Sequence, residues 1–142
     1  ATPPEVIDIL KRATEQAHRA GHIIHQIRYY IRDDTPVKEL TGVDPLLMNV
    51  CHFLDWELKN SAIDIDYSLE CADCVILAEK VQIEQVLINL IRNSIDAIKT
   101  SNIDGGKIIL QSRLNESGMV EFSVIDNGPG IDASMIDSLF KP

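Results

Sequence analysis

The chain has few basic residues and no long apolar run. It carries 13 Lys and Arg against 22 Asp and Glu, which gives a net charge of -9, and the basic residues are scattered. Because nucleic-acid binding depends on basic contacts to phosphates, we expect no nucleic-acid partner. No stretch approaches the roughly 18 apolar residues that a membrane helix needs, and the start lacks the regions of a signal peptide. The sequence therefore predicts a cytoplasmic protein, tethered to a membrane only through segments of a longer parent.

Cysteine is also scarce, with three residues, Cys51, Cys71 and Cys74. An odd number without a secretion signal predicts reduced thiols. Cys71 and Cys74 have the C-x-x-C spacing of a redox pair or of half a metal site. A zinc site would need further ligands, and the nearest candidates, Cys51 and His52, are adjacent residues that seldom both ligate. Incidental thiols near a strand are the favoured interpretation, and the metal and redox alternatives stay open.

The first segment of the chain, residues 5–32, has the pattern of a long amphipathic helix. Its apolar and small residues recur at alternating steps of four and three, the heptad pattern of a helix that packs against partner helices. This apolar seam consists of Val6, Leu10, Ala13, Ala17, Ala20, Ile24, Ile27 and Ile31. A helix packed on its own domain is the alternative. Pro36 disfavours helical geometry before it, which sets predicted boundaries at 1–36 and 37–142.

The rest of the chain alternates between helix and strand patterns. Asp44 and Pro45 predict an N-cap and first turn of a helix that runs to about Lys59, and residues 80–100 predict a second helix. The plausible buried face of the first helix consists of Leu46, Leu47, Val50, Leu54 and Leu58. In the second helix the apolar residues that recur at helical spacing are Ile83, Val86, Leu87, Leu90, Ile91, Ala97 and Ile98. Strands are predicted at 63–69, 75–77, 107–114 and 119–126. The expected fold is α+β, a two-layer sandwich with a mixed, mainly antiparallel sheet.

The helix over 80–100 carries polar residues in an otherwise apolar sequence. Asn89 and Asn93 are four residues apart and share one face, which Asp96 continues. Asn is a mediocre helix former, so two of them in mid-helix indicate a partner. Amide oxygens are ligands that Mg²⁺ accepts beside water and phosphate oxygens. Solvated polar residues on an amphipathic helix are the alternative.

A glycine loop, residues 126–130, follows the last predicted strand. Asp126 can accept a hydrogen bond from an exocyclic amine such as that of adenine. Gly128 and Gly130 allow a ligand to approach the backbone closely. Taken alone, the loop is better explained as ordinary Asp-Asn-Gly turn chemistry.

Together, the two features resemble the nucleotide site of the ATPase superfamily that includes histidine kinases, gyrase, Hsp90 and MutL. Residues 85–97, QVLINLIRNSIDA, are similar to its N box, and residues 126–131, DNGPGI, are similar to its first glycine box. The resemblance covers roughly residues 40–142. It implies ATP or ADP and Mg²⁺ as cofactors, bound between the helix and the loop.

The resemblance also implies a role for each matching residue. Asn93 matches the Mg²⁺ ligand, Asn89 supports the phosphates or the metal one turn earlier, and Asp126 matches the adenine-binding carboxylate. Gly128 and Gly130 match the glycines beside the base and the lid hinge. The further positions implied to contact the nucleotide are Arg92, Asp96, Ile131 and Phe140, the last in a segment similar to the start of the ATP lid.

The resemblance favours a protein-histidine kinase. Asn89 stands where hydrolytic members have a Glu general base, and an amide has no useful basicity. Residues 17–28, AHRAGHIIHQIR, are similar to the second helix of the dimerisation and histidine-phosphotransfer bundle. This implies a homodimer through that helix and transfer of the ATP γ-phosphate to a bundle histidine, then to a response regulator receiver domain. Alternatives are a gyrase-, Hsp90- or MutL-type ATPase, an anti-sigma-type serine kinase and a non-catalytic binding module.

The sequence departs from the family pattern in three ways. The second glycine box is missing after Pro142, and Ser94 stands where Ala is usual. No histidine has the sequence context of the phosphoacceptor; the four are His18, His22, His25 and His52. We therefore expect no catalytic histidine in this chain, no autophosphorylation by it alone, and weaker ATP binding than in a parent with a complete lid.

Overall fold

The computed structural model describes residues 2–31 and 37–136 and divides the chain into two compact units, Ala1–Pro36 and Val37–Pro142. The described part of the first unit is helix α1 (Pro3–Ile31). At its start the Thr2 backbone N–H donates to Glu5 Oε2 at 2.8 Å, which satisfies one of the donors that a helix N-terminus leaves open. The predicted helix is confirmed as far as Ile31; residue 32 and the predicted linker lie outside the described residues.

The apolar seam of α1 is exposed where its side chains are described. Val6, Leu10 and Ile24 are between 43% and 64% exposed. The other described side chains of α1 are exposed as well. The side chains of the three histidines on α1 lie outside the description. Within the described residues, no helix is both long enough and apolar enough to cross a membrane.

The second unit contains strands and helices in alternation. They are β1 (Glu39–Gly42), α2 (Val43–Asn60), β2 (Asp64–Leu69), β3 (Val75–Ala78), α3 (Lys80–Thr100), β4 (Lys107–Leu114), β5 (Val120–Asp126) and α4 (Ala133–Ile136). The helices and strands predicted for this unit are confirmed, with ends that shift by a residue or two. The sequence does not predict β1, because this four-residue strand exposes Leu40 and offers no buried alternation.

The strands form two sheets. β1 pairs with β3 in an antiparallel ribbon, and β4 lies between β2, to which it is parallel, and β5, to which it is antiparallel. The expected mixed, mainly antiparallel arrangement is confirmed, although it is divided between two sheets. Along β4, Ile108, Leu110 and Ser112 are fully buried. Because alternate residues of a strand point to opposite faces, these three mark the face that packs on the helices.

Helices α2 and α3 supply most of the core. The buried α2 residues include every one that was predicted. In α3 two residues of the apolar pattern, Val86 and Leu90, are exposed. The buried arc of α3 consists of Gln85, Leu87, Ile88, Ile91, Ser94, Ile95 and Ile98. Val86 and Leu90 lie on the adjacent arc, and two overlapping apolar arcs cannot be ranked by periodicity alone.

The start of α2 also differs from the prediction. Gly42 takes the N-cap position without a side-chain cap, and Asp44 lies in the first helical turn. The turn between Cys71 and Cys74 supplies acceptors instead. The Val43 N–H donates to the Cys74 carbonyl at 2.9 Å, and the Asp44 N–H donates to a carbonyl of the same turn at 3.1 Å. These bonds satisfy the open donors of the helix, so a side-chain cap is unnecessary.

The C-x-x-C segment therefore has a backbone role in holding α2. Its thiols and that of Cys51 are free. Burial raises the pKa of the Cys74 thiol, and its contact with Cys71 raises this pKa further. A raised pKa disfavours the thiolate that metals and redox partners require. Among the described residues, no group of three or more His, Cys, Asp or Glu side chains is placed to hold a metal ion.

Candidate functional site

Four predicted site residues lie on α3, namely Asn89, Arg92, Asn93 and Asp96. Asn93 and Asp96 are exposed, and Asn89 is half-buried. The buried Gln85 donates from Nε2 to Asn89 Oδ1 at 3.1 Å. This bond restricts the Asn89 side chain and holds it along the helix, while Asn93, one turn further on, faces solvent and keeps its amide available to a ligand.

The carboxylate of Asp126 is fixed at the end of β5. Its Oδ2 accepts a hydrogen bond from Ser94 Oγ of α3 at 2.7 Å, and its Oδ1 accepts one from the Gly128 backbone N–H at 2.9 Å. Ser94 is buried, whereas Asp126 is exposed. Because an ionised carboxylate has about four acceptor positions, each oxygen can still accept a bond from a ligand. Asp126 is therefore an exposed hydrogen-bond acceptor whose orientation is fixed by Ser94 and Gly128.

The two loop glycines are required for different reasons. A Cβ at Gly128 would lie 2.8 Å from Asp126 Oδ1 and 3.5 Å from Ala97 Cβ, so a side chain here would displace the carboxylate. Gly130 has a φ of +75° and open space around it. The left-handed backbone therefore favours glycine at 130, while close packing favours it at 128.

Asn127 anchors the loop to the start of β4. Its Oδ1 accepts from the Lys107 backbone N–H at 2.8 Å, and its Nδ2 donates to the Gly105 carbonyl at 3.0 Å. The Asn127 backbone N–H also donates to the Lys107 carbonyl at 3.2 Å. Sequence reasoning missed this residue. One signal in the sequence could have indicated it: Asn127 directly follows a strand, and a Gly-Gly turn precedes the neighbouring strand.

Arg92 lies against α2 instead of beside Asn93. Its Nε donates to Glu57 Oε2 at 3.0 Å, and its guanidinium carbon lies 5.6 Å from the centre of the Phe53 ring. Both charged side chains are largely buried, at 15% and 27% exposed. The structure thus does not bring Arg92 together with the other predicted nucleotide contacts, because an acid and an aromatic ring on α2 hold it.

The remaining predicted positions follow the loop. Ile131 is exposed. Asp132 Oδ1 accepts hydrogen bonds from the backbone N–H and the hydroxyl of Ser134, which start the short helix α4 and lower the pKa of Asp132. Phe140 lies outside the described residues. The site that the structure assembles therefore combines α3, the end of β5 and the glycine loop.

The chemistry of these groups suits binding and positioning. Asp126 offers an anionic acceptor, and Asn93 offers a neutral amide oxygen to a hard cation. Mg²⁺ keeps several waters and takes only one or two protein ligands beside substrate phosphates, so a single exposed amide is a workable donor. Neither Asn89 nor Asn93 can remove a proton from water at neutral pH.

The chain is similar to known proteins both in sequence and in structure. Residues 78–142 match a family described as histidine kinase-, DNA gyrase B- and HSP90-like ATPase. Over 138 residues the chain is 30% identical to the sensor protein FixL of Bradyrhizobium diazoefficiens, covering 97% of this chain and 27% of FixL. The chain thus spans about a quarter of that relative's length.

Two solved structures share the fold. The nucleotide-free catalytic domain of the histidine kinase ThkA is 27% identical, with a TM-score of 0.66 over 74% of this chain and 69% of that chain. Histidine kinase ThkA in complex with the response regulator TrrA is 23% identical, with a TM-score of 0.69 over 100% of this chain and 41% of that chain.

Proposed function

We propose that Val37–Pro142 is the ATP-binding catalytic domain of a sensor histidine kinase and binds Mg-ATP for phosphoryl transfer. The match of residues 78–142 to the histidine kinase-, DNA gyrase B- and HSP90-like ATPase family and the similarity to FixL and to the ThkA catalytic domain support this proposal. In a longer parent protein, the γ-phosphate passes to a histidine of the dimerisation bundle and then to an aspartate of a response regulator. The observation that carries the proposal is the Asp126 carboxylate, exposed yet held on both oxygens beside α3.

Asp126 is proposed to accept a hydrogen bond from the exocyclic amine of adenine. Such a contact requires an acceptor that is oriented before the ligand arrives, and the bonds from Ser94 and Gly128 provide this orientation. Gly128 lets the base approach, since a Cβ there would collide with Asp126. Gly130 and Ile131 follow as the loop wall, and Phe140, outside the described residues, is proposed as a further nucleotide contact.

The phosphate end of the nucleotide is proposed to lie along Asn89, Asn93 and Asp96. Asn93 is the proposed Mg²⁺ ligand because its amide is exposed. Asn89 is held by Gln85 and supports the phosphates or the metal one turn earlier. When bound, Mg²⁺ neutralises charge on the transferring phosphoryl group. Arg92, paired with Glu57, contributes through the position of α3.

A kinase is favoured over a hydrolase by the residue at 89. An amide there cannot act as a general base toward water, so hydrolysis gains no assistance from this position. Phosphoryl transfer to a histidine supplied elsewhere needs positioning and electrostatic stabilisation more than it needs a base. The arrangement of Asn89, Asn93 and Asp126 supports the transfer reaction.

The first unit is proposed to be the second helix of the dimerisation and phosphotransfer bundle. The exposed apolar seam of α1 supports a homodimer through this helix. The proposed boundaries are 1–36 for the bundle helix and 37–142 for the catalytic domain. A response regulator receiver domain is the proposed second partner, and the cytoplasm is the proposed location.

The test is a calorimetric titration of ADP into the protein with Mg²⁺ and with EDTA. Asp126→Asn is the variant, because it keeps the side-chain shape but removes the anionic acceptor. Asp73→Asn is the matched control, since it makes the same change in the turn between β2 and β3. We expect saturable binding by wild type and Asp73→Asn, weaker binding in EDTA, and at least about 10-fold weaker binding by Asp126→Asn, as for loss of one charge-assisted hydrogen bond. Equal affinities for Asp126→Asn and Asp73→Asn would refute the proposed pocket.

A further inference from the structure

Ser94 is a buried residue whose hydroxyl donates to the proposed adenine-binding carboxylate. Its Oγ lies 2.7 Å from Asp126 Oδ2, and its side chain is 6% exposed. A hydroxyl has one proton to donate, and Asp126 takes it. Ser94 can therefore offer a ligand only acceptor lone pairs.

The Gly128 backbone N–H is committed in the same way. It donates to Asp126 Oδ1 at 2.9 Å. The two donors that lie nearest to the carboxylate are thus both consumed by it. Ser94 and Asp126 therefore present only hydrogen-bond acceptors and a negative charge to a ligand. This arrangement favours a ligand edge that carries N–H donors and disfavours one that carries a carbonyl oxygen.

We propose that Ser94 is a positioning residue that sets the discrimination between 6-aminopurine and 6-oxopurine nucleotides. This inference rests on the proposed nucleotide function. Ser94 holds one carboxylate oxygen from the helix side while Gly128 holds the other from the loop side, so the carboxylate plane is fixed. A site built to bond a ligand N–H rejects an analogue that lacks it because its own polar groups are then left without a partner. Rejection of a 6-oxopurine therefore requires that the Asp126 carboxylate cannot rotate away from the ligand.

Ser94→Ala removes one of the two bonds that fix this plane. The remaining bond from Gly128 leaves Asp126 free to rotate toward water, because the carboxylate is exposed. The bond to the exocyclic amine then weakens, and so does the conflict with a keto oxygen. The ratio of affinities for the two purine classes is therefore the quantity that reports on Ser94.

The chain offers a matched control in Ser112. This serine is fully buried on β4, and its Oγ has no hydrogen-bond partner in the described part of the chain. Ser112→Ala deletes the same hydroxyl from the core without touching Asp126. Ser94→Thr is the rescue variant, since it restores a hydroxyl at the same position.

The experiment titrates Mg-ADP and Mg-IDP into wild type, Ser94→Ala, Ser94→Thr and Ser112→Ala by calorimetry. IDP carries a 6-oxo group where ADP carries the amine. We expect Ser94→Ala to lower the ADP-to-IDP affinity ratio by about 5- to 10-fold, with Ser94→Thr and Ser112→Ala near the wild-type ratio. This is less than the roughly 10- to 100-fold effect of losing a hydrogen bond to a charged group, because the variant weakens the bond to the exocyclic amine without removing it. A ratio is insensitive to the fraction of folded protein, so partial unfolding does not imitate the effect.

Two results would overturn the inference and are distinguishable. Wild type that binds ADP through Asp126, together with a Ser94→Ala variant that keeps the wild-type ratio or weakens both ligands equally, leaves the nucleotide function standing and removes the role of Ser94. Wild type that binds neither nucleotide removes the proposed function and the role of Ser94 with it.

Discussion

Gly128→Ala is the change whose consequence follows most directly from the geometry. The added Cβ would lie 2.8 Å from Asp126 Oδ1, closer than real Cβ atoms come to other heavy atoms. The contact is with the side chain that the Gly128 N–H itself holds at 2.9 Å. Relief therefore requires the carboxylate to turn, which strains or breaks that hydrogen bond and the one from Ser94 at 2.7 Å.

Two magnitudes follow from this displacement. Overpacking of this size costs about 1–3 kcal/mol, and the lower part of that range applies because Asp126 is exposed and can move into solvent. Loss of the oriented acceptor removes one charge-assisted hydrogen bond to the proposed adenine amine, so ADP affinity should fall about 10- to 100-fold. Binding is thus expected to suffer more than folding.

Gly118→Ala is the control for the stability term. Gly118 has a φ of +73° and nothing within 4 Å of an added Cβ, so alanine there costs backbone strain of about 1–2 kcal/mol without a collision. Urea unfolding measures the free energy of unfolding of both variants, and calorimetry measures their ADP affinity. If Gly128→Ala binds ADP as tightly as Gly118→Ala does, the close packing of Gly128 on the carboxylate has no bearing on the site.

Two further changes test α3 and α1. Arg92→Ala leaves the acid of Glu57 without its partner and removes the contact with Phe53; urea unfolding should show a loss of about 2 kcal/mol, while ADP affinity of the folded variant stays within about 2-fold. An affinity loss as large as that of Asp126→Asn would place Arg92 in the nucleotide site. Ile24→Asp should convert a dimer to a monomer in sedimentation, because it buries an unpaired charge in the seam, whereas Lys11→Asp, on the side of the helix away from the seam, should not; a dimer unchanged by Ile24→Asp would refute the bundle assignment.

The sequence predicts the elements whose signals are local. The polar residues of α3, the β4–β5 pair and the glycine loop each depend on periodicity or turn chemistry within a few residues, and the structure contains all three. β1 lacks such a signal. It exists because β3, more than thirty residues later, pairs with it, with Leu40 opposite Leu77. Pairing between distant segments is the information that a local pattern does not carry.

Tertiary contacts also decide the environment of the α3 residues. Val86 and Leu90 belong to its apolar pattern, yet they are exposed, because the buried arc is the one that packs against α2 and β5. Arg92 stands next to Asn93 in sequence, yet Glu57, 35 residues earlier, draws it to α2. In the sequence, Ser94 is only a substitution for the usual Ala. Its hydrogen bond to Asp126, 32 residues later and 2.7 Å away, is visible only in the structure.

Helix α3 therefore positions both ends of the proposed ligand from one rigid element. Ser94 holds the carboxylate that is proposed to bind the base, and the preceding residue, Asn93, is exposed and is the proposed metal ligand. The buried arc of α3 packs on the sheet, and Arg92 ties another arc to α2, so the helix cannot rotate without breaking core contacts. Phosphoryl transfer that relies on positioning needs this fixed relation between base and phosphates. Because Asn93 and Ser94 are adjacent on a helix that packs against both the sheet and α2, this relation is present before any nucleotide binds.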